Sequence, residues 1–221
     1  MKTRSLLVLL ATCAFAQADM EVTQTVVSTP LKGEPTKQEI KMEMKGSKVR
    51  LDVSSEASVI MDLKSGEMTS LIHAQKLAMT VDAKKLKEMA AAAESQPGGK
   101  IKASDLKPTG KVEKINGYEA EEYAGMEGDA RLSVWISKDL PNQKELMAQM
   151  AEFQKLQPQL AQGGGIDYEK LPGYPLRTEL ASPKMGTVRI TVNTIAEKPL
   201  PDSNFAIPSG YKPLQMPTMP R

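Results

Sequence analysis

Glu39-Ile40-Lys41-Met42-Glu43-Met44-Lys45-Gly46-Ser47-Lys48-Val49-Arg50-Leu51-Asp52-Val53 alternates polar and apolar side chains on both sides of a Gly-Ser pair. Successive side chains of a strand point to opposite faces, so this stretch reads as two half-buried strands joined by a tight turn. Ile40, Met42, Met44, Val49, Leu51 and Val53 form one apolar face. The intervening Lys41, Glu43, Arg50 and Asp52 form a charged, hydrated one.

The same period of two extends outward. Met20 to Thr29 is rich in strand formers and precedes a Pro30–Pro35 loop. Val59 to Leu63, Met68 to His73 and Leu77 to Asp82 are further short strands, with Lys64-Ser65-Gly66-Glu67 as a turn. Short strands at this spacing predict an antiparallel meander with one face on a core. Ala83 to Ala93 consists of strong helix formers, with Asp82 placed as N-cap. The Gly-, Pro- and Lys-rich Ser95 to Pro108 reads as an exposed loop. Gly110 to Ile115 and Tyr118 to Tyr123 flank Asn116-Gly117, a strong two-residue hairpin signal. Ala130, Leu132, Val134 and Ile136 alternate with Arg131, Ser133, Trp135 and Ser137. A second helix opens at Pro141-Asn142, where Asn142 and Glu145 have capping-box spacing. Leu146, Met150, Phe153, Leu156 and Leu160 fall along one side of it; Pro158 kinks or ends it, and Gly163-Gly164-Gly165 stops it. Leu176 to Leu180 and Thr187 to Ile195 complete the strands. The fold class expected is α+β and β-rich: an antiparallel sheet with about two helices. The domain spans residues 19–212, followed by a disordered Pro-rich tail at 213–221.

The N-terminus carries Lys2 and Arg4, then an apolar run from Leu6 to Phe15, then Ala16-Gln17-Ala18. That order matches a cleaved secretory signal at residues 1–18 and is too short to span a bilayer. The expected location is periplasmic or extracellular. Leu10-Ala11-Thr12-Cys13 approaches a lipidation signal, but Thr12 fits it poorly. Cleavage at Ala18 removes the single Cys of the chain, leaving a mature part that is large enough for a core without disulfides. It also removes two of the 29 basic residues, leaving 27 against 27 acidic ones. A balanced charge and 4% aromatic content argue against a nucleic-acid partner.

Several motifs together resemble an uncharacterised family of bacterial exported domains that is similar to the lipoprotein carrier LolA. They are Met42 to Asp52; Ile60-Met61-Asp62-Leu63-Lys64-Ser65-Gly66-Glu67-Met68; Gly110 to Tyr123; Val134-Trp135-Ile136-Ser137-Lys138-Asp139-Leu140; and Phe205-Ala206-Ile207-Pro208-Ser209-Gly210-Tyr211. The resemblance covers nearly all of the mature chain. It implies an unclosed half-barrel with helices in its concavity and room for acyl chains between them. It brings no catalytic residue and no cofactor.

The chemistry-bearing residues make no familiar constellation. His73 is the single His, whereas a zinc or nucleophilic site wants further ligands or a positioned base. Glu119, Glu121, Glu122, Glu127 and Asp129 lack the spacing of a calcium loop and read as a solvated face. Pro97-Gly98-Gly99-Lys100-Ile101 fails as a phosphate loop, because Glu94 stands at the first Gly position and Ile101 at the Ser/Thr. Neither an enzyme nor a metal or cofactor site is expected; a clustered, pocket-lining Asp52, Asp62 and His73 would reopen that reading. Met is abundant, with 14 against 3 Phe and 1 Trp, and suits adaptable apolar surfaces. The candidate lining of a hydrophobic cavity is Ile40, Met42, Met44, Leu51, Met61, Met79, Met147, Met150 and Phe153. Two functional readings stay open. One is non-enzymatic binding of a lipid, acyl chain or hydrophobic peptide. The other is an envelope structural or protein-interaction module with a packed core.

Overall fold

The alternating stretch forms β2 (Thr36–Lys45) and β3 (Lys48–Asp52), with Met42 opposite Leu51 and Met44 opposite Val49. They lie in a computed structural model that describes residues 19–94, 105–156 and 170–214. The expected leader, Pro158, Leu160, Gly163 to Gly165 and residues 215–221 of the expected tail lie outside the described residues. β1 (Met20–Thr29) precedes the hairpin; β4 (Ala57–Asp62), β5 (Glu67–Ile72) and β6 (Leu77–Val81) continue it as a meander.

Helix α1 (Ala83–Glu94) starts where expected, and the Asp82 carboxylate accepts the Lys85 N–H at 2.8 Å. β7 (Lys107–Ile115), β8 (Tyr118–Glu127) and β9 (Ala130–Ser137) follow. Asn116 and Gly117 have φ of 50° and 90°, as a hairpin turn that matches strand twist requires. β7 begins at Lys107, ahead of the expected Gly110, and its register shifts between Pro108 and Val112. It is an edge strand, where Pro and Gly are tolerated. Helix α2 (Gln143–Leu156) leads to β10 (Tyr174–Ser182) and β11 (Gly186–Glu197). The capping box expected at Asn142 is not used. Asn142 has φ 51° and its backbone carbonyl accepts the Leu146 N–H at 3.1 Å, while its side-chain amide donates to Glu197. A short 3-10 turn (Asp202–Phe205) and β12 (Lys212–Pro213) close the described chain.

All twelve strands form one sheet in the order β12-β6-β5-β4-β3-β2-β1-β11-β10-β9-β8-β7. The two ends do not meet, so the sheet is a curved, unclosed half-barrel, as expected. β1 pairs with β2 on one side and β11 on the other, so the first strand sits mid-sheet. Among the described strands β12 makes the one parallel pairing, on β6, and Leu214 N–H reaches the Ala78 carbonyl at 2.8 Å. Pairing thus continues past residue 212.

One packed cluster joins Met42, Met44, Val49 and Met61 of the sheet to Leu146, Met150 and Phe153 of α2. A fully buried Met contributes roughly 1.5–3 kcal/mol of hydrophobic stabilisation, which makes this cluster the main core. The expectation of a hydrated opposite face needs correction. On β4 to β6 that face carries Ile60, Leu71 and Ala78, buried under Leu200 and Phe205 of the C-terminal segment. β9 is buried on both faces. Leu132, Val134 and Ile136 pack with Leu106, whereas Trp135, which alternates with them, enters the main core.

Candidate functional site

Of the nine predicted lining residues, Met42, Met44, Met61, Met150 and Phe153 are buried in the main cluster, and Leu51 and Met147 pack against it. Ile40 and Met79 stay half-buried outside it. Ile40 lies two residues before Met42 but borders a polar hollow instead. Met79 pairs across the ladder with Ser70 on β5. The gathered side chains are tightly packed: Met61 is 1% exposed and Phe153 9%.

A groove of about 380 Å³ runs beside α2. Met147, Ala148, Ala151 and Leu171 line it, with Lys144 and Glu152 at its polar margin. Met147 belongs to both places. It packs on the main core and also borders the groove, so the groove reaches the core through one flexible thioether side chain.

The opposite face of β2 to β5 holds a polar network that borders a hollow of about 490 Å³. Arg50 Nε donates to Asp52 Oδ1 at 2.7 Å, and Lys41 Nζ lies 3.3 Å from Asp52 Oδ2. Ser58 Oγ stands 2.6 Å from Asp52 Oδ1 and 2.7 Å from His73 Nε2. His73 Nδ1 meets the Tyr211 hydroxyl at 2.5 Å. Asp52 and His73 are therefore brought together, through a serine. Asp62 is not; its carboxylate accepts the Ser47 hydroxyl and the Lys64 N–H at the next turn.

The direction of these bonds decides what the network can do. A carboxylate only accepts, so the single Ser58 proton goes to Asp52. His73 Nε2 then donates to Ser58, while Nδ1 meets the Tyr211 hydroxyl. A nucleophilic serine needs the reverse, with imidazole taking its proton, and Ser58 is only 1% exposed. The arrangement instead fastens the C-terminal segment to the sheet. Arg50 Nη1 also donates to the Asn204 carbonyl at 3.0 Å, and Asn204 Nδ2 to Glu43 at 3.1 Å.

Charge is satisfied locally elsewhere. Glu122, buried on β8, accepts from Thr109 at 2.8 Å and pairs with Lys111 and Arg131. Glu121 pairs with Lys138, and Asp129 with Lys184 at 2.7 Å. The expected solvated acidic face is thus partly a set of ion pairs. No group of acidic, His or Cys side chains suited to a metal ion occurs among the described residues. No described helix is long and apolar enough to cross a membrane.

These contacts make stability acid-sensitive. Burial pushes the Asp52 carboxyl up, but Ser58, Arg50 and Lys41 outweigh it and hold it below the usual range. Burial likewise pushes the Glu122 carboxyl up, and Thr109, Ser133 and Lys111 overcome it and hold that carboxyl lowered. Carboxyls lowered on folding stabilise above their unfolded pKa and lose that contribution as pH falls through the folded one. Stability is expected to hold between neutrality and about pH 5 and to decline below it. Urea unfolding across pH 3–7 checks this, and Asp52→Asn with Glu122→Gln should flatten the decline.

Sequence reasoning missed Arg50, Ser58 and Tyr211 as partners of Asp52 and His73. Tyr211 is 138 residues from His73, and no local pattern reports such a meeting. Comparison with known proteins adds the following. No protein of curated function matches the chain. Two crystal forms of PNGF-II are similar at 14% and 13% identity with TM-scores of 0.42 and 0.43; the alignments cover 90% and 91% of this chain. This chain spans only 31% of the length of those PNGF-II chains. The LolA superfamily protein NE2245 from Nitrosomonas europaea is similar at 9% identity and TM-score 0.33, covering 87% of this chain and 91% of that one. Likeness at this level carries no argument about ligand or activity. A family profile described as a domain of unknown function, DUF4412, matches residues 17–211, and the chain belongs to that family.

Proposed function

We propose that the protein is an exported, non-enzymatic binder that takes an acyl chain or similar hydrophobic segment between the sheet and α2, entering along the groove beside that helix. The observation that carries this reading is Met147, shared between the groove and the core. The groove's volume of about 380 Å³ falls within the range of small-molecule sites, about 300–1,000 Å³. Unbranched Met side chains can shift to admit a chain without leaving a rigid void. Each methylene buried adds roughly 0.8 kcal/mol, so a few suffice for measurable affinity after the costs of association.

Calorimetric titration with 1-dodecanoyl glycerol, together with native mass spectrometry of freshly purified protein, tests this. Saturable binding is expected. Met147→Glu, which places a carboxylate at the junction of groove and core, should weaken it at least about tenfold. The absence of both binding and co-purified lipid would overturn the reading. The tight packing of Met44, Met61 and Leu146, at 1–2% exposure, favours a second reading: an envelope interaction module with a closed core. That reading expects no lipid and a protein partner in crosslinking.

A further inference from the structure

Among the described residues, two buried hydrogen-bond donors have no acceptor. Trp135 Nε1 and Arg177 Nε are buried and unpartnered. They are neighbours: Arg177 stands opposite Trp135 in the β9–β10 ladder, and its guanidinium carbon lies 5.1 Å from the indole centroid. A buried N–H without a partner costs about 1–3 kcal/mol, and such groups are rare enough that each calls for an explanation. Gln149 Oε1 is also unpartnered, but it borders a space of about 10 Å³, near the volume a single water needs. Neither Trp135 nor Arg177 lines that space, the groove beside α2 or the polar hollow.

The pair lies inside the bend of the sheet. Arg177 Nη1 donates to Glu113 Oε2 at 2.7 Å, although β10 and β7 are three strands apart. Neighbouring strands are about 4.8 Å apart, so this contact requires the sheet to curl around that face. Trp135 packs in the same cluster as Met150 and Phe153 of α2, the cluster proposed above to receive a chain. Both donors therefore border the apolar region from its polar side.

Charge narrows the chemistry of the missing acceptor. Glu113 already balances the guanidinium, and Glu122, opposite Trp135 in the β8–β9 ladder, is paired with Lys111 and Arg131. A carboxylate buried there would bring a further charge to desolvate, whereas a carbonyl brings none. Deepening the acyl-binding reading, on which this rests, we infer that Trp135 Nε1–H and Arg177 Nε–H recognise the neutral carbonyl oxygen of an acyl ester or amide, while its hydrocarbon tail lies against the Met-rich core. A free fatty-acid carboxylate is disfavoured.

The test uses ligands that differ by that carbonyl alone. In calorimetric titration of the whole protein, 1-dodecanoyl glycerol is expected to bind roughly 5- to 10-fold tighter than its ether counterpart, 1-O-dodecyl glycerol, as one or two added hydrogen bonds would give. Dodecanoate should bind no tighter than the ether. Trp135→Phe and Arg177→Met should each bring the ratio of ester to ether affinity towards unity, with the ether serving as each variant's own reference. Trp135 is the single Trp, so resonance Raman of the wild-type indole N–H reads the new bond directly and needs no variant to fold. A dodecanoyl-peptide amide in place of the glycerol ester separates the two sources of the carbonyl; tighter binding of either over the ether supports the inference. Equal binding of ester and ether, tightest binding of dodecanoate, or an advantage that survives both substitutions would overturn it and leave the acyl-binding reading standing. Failure of every dodecyl ligand to bind would remove both.

Discussion

Gly186→Ala is expected to destabilise the protein by about 4 kcal/mol, the sum of a backbone strain and a collision. Gly186 has φ +93°, and an added Cβ would stand 2.1 Å from the Thr29 carbonyl oxygen and 2.9 Å from Pro30. Those atoms are backbone, so no side-chain rotation relieves the overlap. The turn before β11 must press against the end of β1, and those two strands form the middle of the sheet. Gly117→Ala is the control. Its φ is +90° with nothing within 4 Å, so it carries the conformational cost alone, about 1–2 kcal/mol. Chemical denaturation of both variants separates the two contributions. Equal losses would mean that the β1–β11 junction yields.

Leu146→Ala should cost about 3 kcal/mol by opening a cavity in the main core, and the loss should be uneven. Leu146 is 1% exposed and anchors α2 to the sheet together with Met150 and Phe153. Hydrogen exchange should show the amides of α2 losing protection first, with β1 and β11 holding theirs. That local response is what ligand entry beneath the helix requires. Uniform loss through helix and sheet would show that α2 opens only with the whole domain, and would favour the closed-core module.

Much of the architecture was readable because it rests on local pattern. β2 and β3 alternate without a slip, and Asn116-Gly117 can hardly be anything but a tight turn. The second layer of burial was not readable. Period-two alternation says that a strand has two unlike faces, but not that a distant segment covers the polar one. Glu43 looks like a solvent residue in sequence and is 3% exposed, because Asn204 comes to meet it. Trp135 looks like the odd member of a polar series on β9 and turns out to be core. Shared burial was legible where strands are regular, at Met42, Met44 and Met61, which one cluster gathers. Ile40 and Met79 keep the pattern but lie outside that cluster. The paired donors at Trp135 and Arg177 carry no sequence signal, since what marks them is a partner that neither strand supplies.

The placement of β1 between β2 and β11 bears on how the chain is made. Synthesis, and any passage across a membrane led by the N-terminus, delivers β1 first and its second neighbour more than 160 residues later. Until then the meander of the first six strands and the later hairpins are separate, each built from nearby pairings that form quickly, while the seam between them must wait for a long loop to close. Until β11 emerges the two parts stay unjoined, and that last long strand acts as the zip that turns them into one body.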